Sequence, residues 1–120
     1  MSTLNVSNIT DGTTTVGTSY VVNGSAKAWI KLIMAGTAAI NNSFNISSLV
    51  DAGTGDMDVT VTNAFSSNHY VTTGSNFWSS RGNQIAADNT SSMFNVAQYD
   101  NSGGRTDSGK SYCTIHGDLA

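Results

Sequence analysis

The run Lys27-Ala28-Trp29-Ile30-Lys31-Leu32-Ile33-Met34 constrains this chain more than any other stretch. Successive side chains of a strand point to opposite faces. Ala28, Ile30, Leu32 and Met34 therefore share one face, and Lys27, Trp29, Lys31 and Ile33 share the other. The first face has the character of core. The second mixes two cations with a large aromatic, as a surface in contact with something would. A helical stripe of Ala28, Leu32 and Ile33 also exists. The segment is short for a globular helix and Gly36 follows at once, so a strand is favoured.

The rest of the chain suits such a strand. At 120 residues a single domain with a modest core is expected. Hydrophobic residues make up 38% and charged residues only 11%, so the balance is Ser, Thr, Asn and Gly. Low charge argues against charge-driven disorder, and Thr-rich, Gly-punctuated sequence suits short strands with many turns. The net charge is −3 with five basic residues, too few for the positive field of a nucleic-acid groove. Lys27 and Lys31 are the close basic pair, and they read as a solvated strand face. No basic-plus-apolar leader opens the chain and no apolar run reaches membrane length. A soluble protein without membrane insertion is expected. Cys113 is the single cysteine, so no intrachain disulfide forms, and a small buried hydrophobe is its default role.

Residues 1–26 lack a sustained core pattern. Leu4, Val6 and Ile9 are the early apolar anchors, so this segment reads as an N-terminal arm lying on the domain or wrapped around a partner subunit, or as a flexible tail. Tyr20-Val21-Val22 before Asn23-Gly24 reads either as one helical turn ended by a left-handed glycine or as a short strand entering a turn. Residues 27–120 read as the folded body. Thr37–Ile40 resumes an extended pattern after Gly36, and Asn41-Asn42-Ser43 is expected to break it. Phe44-Asn45-Ile46 is expected as a strand with Phe44 and Ile46 inward. Residues 51–56 form a polar connection. The alternation of Met57, Val59 and Val61 against Asp58, Thr60 and Thr62 is the cleanest in the chain.

Further on, Ala64-Phe65 covers an end of the core, and Tyr70 and Thr72 oppose Val71 and Thr73. Ile85-Ala86-Ala87 reads as a short central strand. Phe94, Val96 and Gln98 share one side of Met93–Tyr99. Cys113 and Ile115 oppose Tyr112, Thr114 and His116 in the last strand. The sum is about seven or eight short strands, which predicts an all-β fold, a small antiparallel β-sandwich or flattened barrel.

Chemistry-bearing patterns are sparse. Asp51, Asp56 and Asp58 cluster along the chain, but the run lacks calcium-loop spacing and the sequence contains no Glu. His69 and His116 meet only if the fold brings their strands together, and zinc-ligand spacing is absent. Cys113 and His116 fall on opposite strand faces, which separates a thiol from its base. Gly53-x-Gly55 and Gly103-Gly104 do not lead into a helix as a phosphate loop does. A non-enzyme with no catalytic residue, metal or cofactor is the expectation.

The run Ser19-Tyr20-Val21-Val22-Asn23-Gly24-Ser25-Ala26-Lys27-Ala28-Trp29 resembles a recurrent signature of bacteriophage tail-fibre proteins, particularly those of marine-type phages. The likeness continues through Ser43–Ser48, Gly53-Thr54-Gly55-Asp56 and the strand Asp58–Asn63. It resumes at Phe94-Asn95-Val96, Asn101-Ser102-Gly103-Gly104 and Thr106-Asp107. Residues 64–92 fall outside it. The resemblance implies a homotrimeric virion component made in the host cytoplasm. Its implied partners are other virion tail proteins and a host-surface glycan or protein. Host attachment is the implied role. A non-binding structural or decoration domain of the virion, or a cellular carbohydrate-binding module, are the alternatives.

Candidate residues follow. Phe77 or Trp78 in a polar loop would stack on a sugar face, with Ser75, Asn76, Arg81, Asn83 and Gln84 supplying polar contacts. Such aromatics also serve simply to cap a small core. Leu4, Val6, Ile9, Trp29 and Ile33 are the candidate subunit interface.

Overall fold

The computed structural model describes residues 2–76, 82–86, 90–107 and 109–120, the segment 82–86 by its backbone alone. The strands are β1 (Asn8–Thr10), β2 (Thr15–Gly17), β3 (Ala28–Ile33), β4 (Ala39–Phe44), β5 (Ile46–Gly53), β6 (Asp56–Val61), β7 (Val71–Asn76), β8 (Gly82–Ala86), β9 (Met93–Tyr99) and β10 (Ser111–His116). One short helix, α1, spans Thr18–Gly24. All pairing is antiparallel, in a two-stranded sheet β1-β2 and two four-stranded sheets, β4-β3-β10-β7 and β5-β6-β9-β8. The protein is thus a small all-β domain. Among the described residues no ladder closes the sheets into a barrel.

The alternating segments become the central strands. β3 and β10 lie inside one sheet, and β6 and β9 lie inside the other. Their apolar faces meet in a single cluster. Ala28, Ile30, Leu32 and Met34 join Cys113 and Ile115 from one sheet, and Met57, Val59, Val61, Phe94 and Val96 come from the other. Gln98 lies on the same face as Phe94 and is fully buried. It donates through Nε2 to the Ser111 hydroxyl of the opposite sheet, which satisfies two polar groups inside the core. Phe65 closes one end of the cluster, with its ring centroid 4.5 Å from that of Tyr70. The Tyr70 hydroxyl donates to the Met93 carbonyl at 2.8 Å.

Several expectations from sequence are corrected. Among the described residues the body has eight strands, as expected, and the arm adds a hairpin of two more. Asn41–Ser43 does not end β4, which runs through to Phe44 and absorbs the irregularity as a register shift opposite Lys31 and Leu32. Phe44 is not inward but 55% exposed. The cause is Asn45, which adopts φ +57° between β4 and β5. A left-handed residue breaks the strand alternation, so the chain leaves one sheet at Phe44 and enters the other at Ile46. Ile46 does pack on the core as expected. β8 is an edge strand rather than a central one. The connection at 51–56 shrinks to Thr54-Gly55, because β5 extends to Gly53 before the hairpin turns.

Asn45 also ties the two sheets. Its Nδ2 donates to the carbonyls of Lys27 (3.0 Å) and Asn63 (3.2 Å), and its Oδ1 accepts from the Asn63 N–H at 2.8 Å. Lys27 leads into β3 and Asn63 follows β6. One side chain therefore joins the entry of one sheet to the exit of the other.

Residues 2–26 fold differently. β1 and β2 form a hairpin whose turn is held by Asp11, which accepts from the N–H groups of Thr13 (2.9 Å) and Thr14 (2.7 Å). Those bonds to the carboxylate lower the Asp11 pKa. α1 resolves the open reading of Tyr20–Gly24 in favour of helix. It ends without a left-handed Gly24, since the Ser25 N–H bonds back to the Val21 carbonyl. The Lys27 ammonium donates to the Val22 carbonyl and, at 2.6 Å, to the Ser25 hydroxyl, a cation at a helix C-terminus. No residue of α1 is buried.

Candidate functional site

The outward face of the β4-β3-β10-β7 sheet carries the aromatic and polar side chains that the core does not take. The ladders set them in two rows. Phe44, Trp29, Thr114 and Thr73 stand opposite one another across the four strands, and Asn42, Lys31, Tyr112 and Ser75 form the next row. This follows from the same alternation that makes the core. Trp29 is outward because Ala28 and Ile30 are inward, and Tyr112 is outward because Cys113 is inward.

Between the rows lies a concave cavity of about 530 Å³, lined by Trp29, Lys31, Asn42, Thr73, Tyr112 and Thr114 among others. Ile30 and Cys113 also line it, and with their side chains in the core they contribute backbone. The Thr73 and Thr114 hydroxyls are 2.7 Å apart, a cross-strand hydrogen bond that fixes both. The Lys31 ammonium lies 5.7 Å from the centroid of the Tyr112 ring, within cation–π range. Lys31 is the one formally charged residue among those lining the cavity, and it makes no ion pair among the described residues. Trp29 is half-buried, so part of the indole faces the opening.

The carboxylates of the other sheet are arranged for structure. Asp56 and Asp58 do share one face of β6, as the alternation predicts. Asn95 of β9 donates to both, at 2.6 Å and 2.9 Å, and Arg105 forms an ion pair with Asp56. Arg105 also stacks over Tyr99 at 5.8 Å. The fold does bring His69 and His116 to one place. Together with Tyr70, Asp118 and Asn23 of α1 they line a second cavity of about 430 Å³. Among the described residues no group of three or more His, Cys or Asp side chains converges as a metal site would require. Burial pushes the Cys113 thiol up to about 12, which holds it as the inert neutral form.

The residues proposed from sequence fall into three places. Phe77, Trp78 and Arg81 lie outside the described residues. Asn83 and Gln84 lie on β8, where their backbones pair with Gln98 and Ala97. Ser75 lines the groove beside Tyr112, and Asn76 follows it at the end of β7. Leu4, Val6 and Ile9 are exposed, at 81%, 40% and 45%. Trp29 and Ile33 are half-buried on the outer face of β3. The outward positions of Tyr112, Thr114 and Thr73 were legible as strand faces. Their convergence on Trp29 was not, because it depends on β10 lying between β3 and β7.

No family model matches the chain, and no curated protein and no solved structure matches it.

Proposed function

We propose that this protein is a non-enzymatic, homotrimeric tail-fibre or receptor-binding component of a phage virion that contributes to host-cell attachment. The observation that carries the reading is the state of the arm. Leu4, Val6, Ile9, Val16, Tyr20, Val21 and Val22 are all exposed, although they are the apolar residues of this segment. A two-stranded hairpin and a seven-residue helix are each marginal in water alone. The arm therefore needs a surface to cover its apolar side chains. Its one charged side chain among positions 1–26 is Asp11, so little charge repulsion opposes the meeting of copies. A small body with a modest core gains by such association. The number three comes from the sequence resemblance to tail-fibre proteins.

In this reading Leu4, Val6 and Ile9 pack against neighbouring subunits and the β-rich body faces the host surface. Partners are other virion tail proteins at one end and a host-surface glycan or protein at the other. Nucleic acid is not a partner in this reading, since five basic residues are too few for a positive groove, and three of them are engaged apart, with Lys27 on α1, Lys31 on Tyr112 and Arg105 on Asp56. Among the described residues no helix is long and apolar enough to cross a membrane. The test is adsorption. Purified protein should be retained by cells of the susceptible bacterium and should reduce adsorption of the corresponding phage in competition. Retention no greater on susceptible than on resistant cells would contradict the attachment role and leave a purely structural one.

A further inference from the structure

We propose that the groove between Trp29 and Tyr112 is a saccharide site selective for a carboxylate-bearing sugar, with Trp29 as stacking platform and Lys31 as the partner of the carboxylate. The biological role of the site rests on the attachment reading above. Its chemistry stands on the geometry of the sheet.

Three features point to this ligand. First, Trp29 and Tyr112 sit on adjacent strands one row apart, a diagonal pair of the kind spaced about 7–8 Å in antiparallel sheets. That offset sets both aromatic side chains along the wall of one groove. The electron-rich face of an indole attracts the polarised C–H edge of a sugar ring. Second, the groups flanking the aromatics are Asn42, Thr73, Ser75 and Thr114. Each can both donate and accept, which matches the dual character of sugar hydroxyls. The Thr73–Thr114 hydrogen bond holds two of these hydroxyls in place before any ligand arrives. Third, the lining carries one charge, the Lys31 ammonium, held over Tyr112 at 5.7 Å. Lysine is a donor only, so it favours an acidic group over a neutral one.

Other occupants fit less well. A phosphate cluster calls for several cations, and the groove has one. A sugar carboxylate needs one cation and a set of hydroxyl partners, which is what the two rows provide.

The test is titration calorimetry of the full chain with two acidic probes and their neutral counterparts. These are trigalacturonic acid against its methyl ester, and sialyllactose against lactose. Wild-type protein should bind at least one acidic probe about tenfold more tightly than its neutral counterpart, a difference of about 1.4 kcal/mol. Trp29→Ala should weaken both members of that pair. Lys31→Gln, a surface change that leaves the core untouched, should erase the preference and retain binding of the neutral member. Absence of binding to both acidic probes, equal binding within each pair, or unchanged titrations in Lys31→Gln would overturn the proposal. So would a change of particle mass in Trp29→Ala, which would place the indole in a subunit contact. Cell retention measured on the same variants separates the two readings. Retention that survives Trp29→Ala refutes the groove's part in attachment and leaves attachment standing. Saccharide binding without cell retention supports the groove and refutes attachment.

Discussion

Replacing Asn45 tests how the chain crosses between its sheets. Two terms are at stake. The side chain makes three hydrogen bonds, two to carbonyls and one from an N–H, which link Lys27 and Asn63. At about 0.5–1.5 kcal/mol net for each, they amount to about 2–3 kcal/mol, with the exposed Asn63 carbonyl at the low end. The backbone at φ +57° adds a second term. Asn and Gly tolerate this region, whereas a Cβ without a local hydrogen-bonding group costs about 1 kcal/mol or more. Asn45→Ala loses both terms and should destabilise by about 3 kcal/mol, whereas Asn45→Gly loses mainly the hydrogen bonds and should recover about 1 kcal/mol of that. The assay is urea unfolding at one fixed protein concentration, with midpoint and slope compared, because association makes stability depend on concentration. An Asn45→Ala protein as stable as wild type would refute the cross-sheet tie. A glycine variant no more stable than the alanine variant would refute the backbone argument.

Other perturbations read separate parts of the fold. Gly55 has φ +63°, and a Cβ there would lie 2.6 Å from the Thr106 nitrogen, so Gly55→Ala should cost well over about 2 kcal/mol by urea unfolding. Gly12 has φ +96° with open space around it, so Gly12→Ala should cost only about 1 kcal/mol. Arg105→Ala removes a partly exposed ion pair with Asp56 and should change stability by about 1 kcal/mol or less, with the difference shrinking in high salt. Burial raises the folded pKa of Cys113 from 9.0, and that of Tyr70 from 10.0, each to about 12. A raised folded pKa contributes stability that is complete below the unfolded value and is lost as pH climbs through the folded one. Stability should therefore hold up to pH 9.0 and fall toward pH 12, and Cys113→Ala should make that fall shallower in unfolding curves taken across the range.

The central strands were legible because each carries its own evidence. Met57, Val59 and Val61, or Cys113 and Ile115, alternate with polar residues, and burial of that parity is forced once a second sheet is present. The misread elements depend on information the local pattern does not hold. Phe44 and Ile46 share a parity in sequence, and a single left-handed Asn45 undoes it. β4 carries Asn41-Asn42-Ser43 and is nonetheless a strand, because the ladder from β3 overrides weak local propensity. The candidate groove was half legible. Trp29, Lys31, Tyr112, Thr114 and Thr73 each belong to an outward face by alternation. Strand order alone makes those faces one surface, and β3 and β10 are separated by most of the body's length in sequence.

The most direct test of the account is the mass of the purified full chain by light scattering at micromolar concentration. An arm whose apolar side chains pack on neighbouring subunits predicts association, and the resemblance to tail-fibre proteins sets the number at three chains, each of 12.5 kDa. A stable particle with the mass of one chain would contradict it.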